Sequence, residues 1–444
     1  MNHGRSAIFI MRPHKKRMRT TVLATRTLAV WGYAVLMLSV VLYVYRFFVF
    51  GVNLSLFRMV LLSWTLLLVR DFFLLRVKLL RSYMPFFAIL LAIFIVNAFD
   101  LYRSHEPVLL GRDVVNHFGN LFLVSLIVLY VNSEDKIDLL ISTYIYMSMV
   151  PLVSALYTFI TGSLPFEGAL HEFKSEFVDI PAFTIQYGES LRWAGTFYDP
   201  NYYGYYLCTV AIFCFFYLNF VRSRPSIKLI LLLSVIALVF TLSRTALIGF
   251  AVILSISLLK LRTLRNKVLH SLPAMVLLIG ATVVVIIALD AGGVLGERLT
   301  DPESVTDRLR FIRNGFEAFE RNPILGVGTQ GLISSDIPIA TAHNVYLSWL
   351  AKYGIVGFLV YSAFLFYPLL FLYQAKNRLS RKYQYLLATT LAAVLVMYLA
   401  FDFFPLFEFQ YVVFGIVYSI ALNRIGCRAV RTPDSELKAP LPSL

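Results

Sequence analysis

Apolar runs of membrane-spanning length recur along the chain, separated by short polar stretches, at about 27–45, 52–69, 83–99, 114–131, 139–161, 201–220, 229–242, 245–259, 268–289, 345–373, 384–401 and 409–423. A helix needs about 20 apolar residues to cross a bilayer, so the pattern predicts about 12 transmembrane helices. The seventh and eighth runs are short and read equally as a tight hairpin or a pair of partial spans. Only two polar intervals are long, about 162–200 and 290–344. The expected organisation is a tail (1–26), nine spans (27–289) that include segment 162–200, a large loop (290–344), three spans (345–423) and a second tail (424–444).

The second interval holds the most informative pattern. Val305, Leu309, Ile312, Phe316 and Phe319 recur at spacings of three and four, which predicts one apolar stripe on an amphipathic helix. Arg310, Arg313 and Glu317 share another face. Ser304 or Thr306 can cap the start, and Asn322-Pro323 ends it. Such a helix can also lie on the bilayer with its arginines solvated or touching lipid headgroups. Gly326, Gly328 and Gly331 then form a turn-rich loop, but GVGTQG lacks the lysine and preceding strand of a phosphate-binding loop. His343 and Asn344 follow at the start of the apolar run from Val345. A helix N-terminus disfavours imidazolium, and a neutral imidazole is what a general base requires. A capping polar residue without chemistry is the plainer reading of the same position.

Composition and charge narrow the class. With 59% hydrophobic and 15% charged residues, a soluble globular protein is excluded. The net charge of +15 would suggest nucleic acid if it were evenly spread. Alternation of the spans instead places 27 of the 40 Lys and Arg on the side of the N-terminal tail (Arg12, Lys15, Lys16, Arg17, Arg19) and a minority opposite, with Lys352 inside a span. The charge therefore reports orientation, with both tails cytoplasmic. Neither nucleic acid nor a nucleotide is an expected partner; membrane lipids are. No small-residue cleavage site follows the N-terminal tail. Cys208, Cys214 and Cys427 show no metal or redox spacing. His105, His117 and His171 form no recognisable ligand set, so neither metal nor cofactor is expected.

Candidate chemistry gathers on the outer side. Arg192 precedes the sixth span and Arg244 lies at the turn between the seventh and eighth. Each can snorkel to lipid phosphate, or present a planar fork that matches phosphate oxygens in a bidentate way. Asp199-Pro200-Asn201 reads as a turn and helix start. The tyrosines around it fit an interfacial belt. Lys352 lies about 13 Å into the tenth span at 1.5 Å per residue, a depth at which an ionisable group faces a cavity or a partner.

RWAGTFYDPNYYG (192–204), SRTALIG (243–249) and above all HNVYLSWLAKYG (343–354), preceded by NPILGVGTQG, resemble the O-antigen ligase and O-antigen polymerase family of bacterial inner-membrane proteins. The resemblance covers most of the chain. It implies an all-α polytopic fold with a helical periplasmic loop region, like the C-type membrane glycosyltransferases. It implies transfer of a glycan from undecaprenyl diphosphate, without metal or nucleotide, to a sugar hydroxyl of lipid A–core in the Gram-negative inner membrane. The family's loop histidine falls on His343 and its donor arginines on Arg192 and Arg244, with Arg310 and Arg313 as further positions. Asn344, Tyr346, Lys352, Asp199 and Asn201 are candidate substrate contacts. The family's Arg-x-x-x-Leu spacing is not met at Arg244, which meets Ile248 instead. A polymerase or a protein O-oligosaccharyltransferase would use the same donor with another acceptor. A transporter would show matched, Gly/Pro-broken halves, which the sequence does not display.

Overall fold

A computed structural model describes residues 30–42, 46–49, 52–73, 81–104, 107–161, 192–197, 199–260, 302–332, 342, 344–375, 377–399 and 408–427. The expected span at 268–289, most of segment 162–200, residues 290–301, the N-terminal tail and most of the C-terminal tail lie outside the described residues.

The apolar runs form helices. In chain order they are α1 (Val30–Val41), α2 (Leu56–Phe73), α3 (Met84–Arg103), α4 (Pro107–Tyr130), α5 (Glu134–Met147), α6 (Met149–Thr161), α7 (Pro200–Phe220), α8 (Pro225–Phe240) and α9 (Arg244–Lys260). The amphipathic α10 (Pro302–Arg321), then α11 (Val345–Ala375), α12 (Arg381–Tyr398) and α13 (Glu408–Leu422) follow. Among the described residues, α3, the run Glu134–Thr161, α7 and α11 are long and apolar enough to cross a membrane. Shorter apolar helices surround them.

Small residues set how closely the helices approach, as expected where lipid supplies no hydrophobic drive. A side chain at Gly415 of α13 would meet Ile127 of α4 at 2.7 Å, and one at Gly249 of α9 would collide with Met397 of α12. At one end of the bundle, Lys382 is held between Glu134 and Asp138, each at 3.1 Å, and Tyr83 Oη donates to Asn423 Oδ1. At the other end, the loop 192–197 is fastened to α1 and α6. Thr196 Oγ1 donates to the Val41 carbonyl (2.6 Å) and Ser154 Oγ to the Gly195 carbonyl (3.2 Å).

Two expectations are corrected. The fold is all-helical apart from one short hairpin, in which β1 (Arg46–Val49) and β2 (Val52–Ser55) pair antiparallel, so the run predicted as a span from 52 begins as a strand and turns helical only at Leu56. The tenth span is not one straight helix either. At Gly354 the backbone of α11 takes φ 63°, ψ −165°, a region that essentially only glycine enters.

Candidate active site

The sequence around Arg192 folds against the turn that precedes Arg244. Arg192 Nε donates to the Thr241 carbonyl (2.8 Å) and its Nη2 to Asn201 Oδ1 (3.0 Å). The Trp193 amide donates to the Phe240 carbonyl, and the two rings stack with centroids 4.7 Å apart. Asp199 caps α7, accepting from the Asn201 amide at 2.6 Å. Burial pushes its carboxyl above the ordinary carboxylate value, against the opposing pull of that amide and of Arg192. The DPN motif is thus both a helix start and a bracket for Arg192. Part of the guanidinium fork is committed to the protein. Arg244 opens α9 with its side chain exposed. The two arginines expected to act together are therefore brought to one turn.

Helix α10 packs otherwise than its periodicity predicted. Its buried face is Phe311, Asn314, Gly315 and Ala318, while Leu309 and Phe316 of the expected stripe are 62% and 53% exposed. The reason is steric. Gly315 lets α10 approach so closely that an added Cβ would sit 2.8 Å from Ala342 and 2.9 Å from Leu347. The small face buys backbone proximity to the residues flanking position 343. Arg310 and Arg313 lie exposed on this helix, with Arg313 Nε 2.8 Å from Glu317 Oε1. An exposed i,i+4 pair of this kind contributes only about 0.3–0.5 kcal/mol.

The glycine-rich loop does something its sequence did not announce: it is stitched into the break of α11. The amides of Ile355 and Val356, freed by the break, donate to the carbonyls of Pro323 (2.9 Å) and Ile324 (3.3 Å). The Val327 amide donates in return to the Ala351 carbonyl (2.9 Å). A broken helix survives within a membrane protein only where its freed backbone groups find such partners. The two arms of α11 fold on each other. Trp349 stacks on Tyr361 with centroids 4.9 Å apart and planes 15° apart, whereas an unbroken helix would set residues twelve apart about 18 Å along its axis.

A polar clamp holds this arrangement to α3. The Asp100 carboxylate accepts from the Thr329 amide (3.1 Å) and hydroxyl (2.7 Å). Arg103 donates to the carbonyls of Gly326 (3.0 Å) and Leu325 (3.3 Å). Lys352 is buried, and both it and Arg103 act electrostatically on Asp100. The depth assigned to Lys352 assumed a straight span; it sits instead two residues before the break, beside this clamp.

His343 lies outside the described residues, but its neighbours are placed. The Ala342 amide donates to Ser348 Oγ (3.1 Å). Asn344 caps the first arm of α11 through the Leu347 amide (3.0 Å), and its Nδ2 donates to the Leu399 carbonyl (2.9 Å) at the end of α12. Tyr346 Oη donates to the Leu395 carbonyl (3.2 Å). Gly249 of α9 packs on Met397 of the same helix end, so the residue after His343 and the helix that begins at Arg244 converge on the last turn of α12.

Sequence reasoning missed a buried polar chain beside this site. His117 engages Tyr411 at Nδ1 (3.0 Å) and Tyr361 at Nε2 (3.3 Å). Asn97 Nδ2 donates to Tyr361 Oη (2.8 Å). The signal was legible: Asn97 and Asp100, like His117 and Asn120, sit three apart on one face of an apolar span, where polar groups are costly without partners. Among the described residues, no group of His, Cys, Asp or Glu is placed to hold a metal.

Comparison with curated proteins yields no match. Residues 229–362, a stretch that includes Arg244, α10, the stitched loop, position 343 and the break of α11, match the model of the Wzy_C family, described as O-antigen ligase, a family associated with glycosyl transfer. With its apolar helices the protein is therefore a membrane protein that is similar to the O-antigen ligase family over those residues.

Proposed function

We propose that this protein is an O-antigen ligase of the Gram-negative inner membrane, with both termini cytoplasmic, twelve spans and a periplasmic active site. It transfers a glycan from undecaprenyl diphosphate to a sugar hydroxyl of lipid A–core. His343, uncharged, takes the proton of that hydroxyl as its oxygen attacks the anomeric carbon. The bond to the diphosphate breaks in the same displacement, and the anomeric centre inverts. Arg192 and Arg244 receive the negative charge that grows on the leaving diphosphate, with Arg310 and Arg313 as further cations for the donor. A diphosphate leaves without a carboxylic acid to protonate it, so the paired carboxylates of glycoside hydrolases are not required.

The observation that supports this reading best is the bond from Arg192 to the Thr241 carbonyl, three residues before Arg244. It brings two arginine residues to one turn, and the helix leaving that turn packs on the same end of α12 as Asn344. Two lipid-anchored substrates held at one depth would supply the proximity that bimolecular transfer lacks.

The test is transfer in liposomes holding the undecaprenyl diphosphate glycan and lipid A–core. Wild type should lengthen the core glycolipid. His343→Ala should lose about 10²–10⁴ in rate, the usual worth of a general base, while remaining folded. Near-normal transfer by that variant would remove the base. Extension of the glycan on its own lipid carrier, with the core untouched, would identify a polymerase.

A further inference from the structure

The broken helix encloses a cavity that the transfer scheme does not use. Its wall includes Val345, Trp349, Tyr361, Tyr398, Gln410 and Tyr411. Among the described residues, no aspartate, glutamate, lysine or arginine lines it. The hydrogen-bond inventory of the wall is lopsided. Trp349 and Gln410 are 4% and 3% exposed, and among the described residues neither the indole Nε1–H nor the Gln410 amide nitrogen has an acceptor. Gln410 Oε1 is already taken by Tyr398 Oη at 3.5 Å. Both His117 nitrogens are taken by Tyr361 and Tyr411. The indole nitrogen can only donate, and a buried donor left unpaired costs about 1–3 kcal/mol.

We infer that this cavity is a subsite for an uncharged, oxygen-bearing group of the acceptor glycan, a sugar hydroxyl received by the N–H groups of Trp349 and Gln410. Neutrality follows from the described wall residues, none of which carries a charge. An oxygen is required because both unpaired groups are donors. The acceptor is favoured over the donor because the wall begins at Val345, two residues beyond the proposed base. The arginines assigned to the donor lie at the turn before α9. His117 acts as a positioning residue, holding Tyr361, on which Trp349 stacks, and Tyr411, the neighbour of Gln410. The assignment rests on the glycosyl-transfer reading, whereas the lopsided wall does not. An ordered water is the other oxygen that would satisfy both groups.

The experiment uses the full chain in nanodiscs, with lipid A–core as the probe. Trp349→Phe and Gln410→Met each keep bulk and remove a donor. Each should raise the KM for lipid A–core about tenfold, the worth of one hydrogen bond, with the KM for the donor and kcat changed by less than threefold. Lipid A–core should also change the tryptophan fluorescence of wild type saturably, and the change should vanish in Trp349→Phe. Acceptor KM values within twofold of wild type in both variants would mean that the cavity holds only water, and would overturn the subsite while leaving the transferase reading intact. If wild type transfers nothing, that reading fails instead. The fluorescence titration then decides the subsite alone: saturable binding weakened by Gln410→Met upholds it, and no binding ends it.

Discussion

Replacing Gly354 by alanine should damage this fold more than any comparable glycine change on an open helix face. At φ 63°, ψ −165° an L side chain is strained, at about 1–3 kcal/mol. Geometry adds a second cost, because the new Cβ would collide with the Ile324 carbonyl and crowd the Gly326 amide. To relieve that overlap the loop must withdraw, which endangers three backbone hydrogen bonds, those of Ile355, Val356 and Val327. Each is worth about 0.5–1.5 kcal/mol net. The total comes to about 3–7 kcal/mol, a large share of a typical stability. Gly32→Ala is the matched control. Its added Cβ would meet only Trp64 at 3.8 Å, an ordinary contact, and within a helix alanine is favoured by about 0.8–1.0 kcal/mol. Unfolding in mixed micelles titrated with SDS measures both variants. A Gly354→Ala variant within 1 kcal/mol of wild type would show that the break does not constrain the fold and that the stitched loop is incidental.

Asp100→Asn leaves Arg103 and Lys352 without the carboxylate between them, and should cost about 1–3 kcal/mol and reduce transfer. Thr329→Val should reproduce part of the loss, and unchanged SDS unfolding in both would dismiss the clamp. Arg192→Lys should reduce transfer and raise the donor KM despite the retained charge, since an ammonium cannot hold the Thr241 carbonyl and Asn201 in the same planar arrangement; wild-type kinetics would contradict this. Asp199→Ala should cost about 1 kcal/mol as a lost cap, whereas Asp199→Asn should not. Because the folded carboxyl of Asp199 titrates above its ordinary value of 3.8, its protonated form favours the fold. That contribution is complete below 3.8 and is lost as pH rises through the raised value, so Asp199→Asn should flatten this part of the stability profile. An unchanged slope would place the cost elsewhere.

How much was legible in the sequence depended on whether a feature was local. Hydropathy located most of the described apolar helices, because a span must satisfy its backbone internally whatever its neighbours do. Asp199-Pro200 announced the start of α7 for the same reason: a cap is a contact within a few residues. The hairpin at 46–55 carried a weak local sign in the alternation of Val52, Asn53, Leu54 and Ser55, which continuous apolarity concealed. The face of α10 was misjudged because periodicity ranks residues by hydrophobicity. Gly315 is chosen by the nearness of Ala342 and Leu347, some thirty residues on, and Ala318 by its packing with Leu332 and Ala351. The break at Gly354 was invisible for a similar reason. Glycine is tolerated inside apolar helices, and only the loop around Pro323 and Ile324 makes this one indispensable. Of the candidate site, the residue types were readable and the gathering of Arg192 at the Thr241 turn was not, since it depends on a carbonyl that no side-chain pattern encodes.

The reciprocal backbone bonds between Val327 and Ala351 and between Pro323 and Ile355 have an evolutionary corollary. They close the intervening chain into a tethered ring, and Asn314 (to the Leu332 carbonyl, 3.4 Å) and Ser348 (from the Ala342 amide) pin it again nearer the middle. The register of this frame is thereby set by main-chain groups, which every residue but proline supplies in full. Side chains along 323–327 and 351–356 can therefore be exchanged, Gly326 and Gly354 excepted, while the stitch itself is kept.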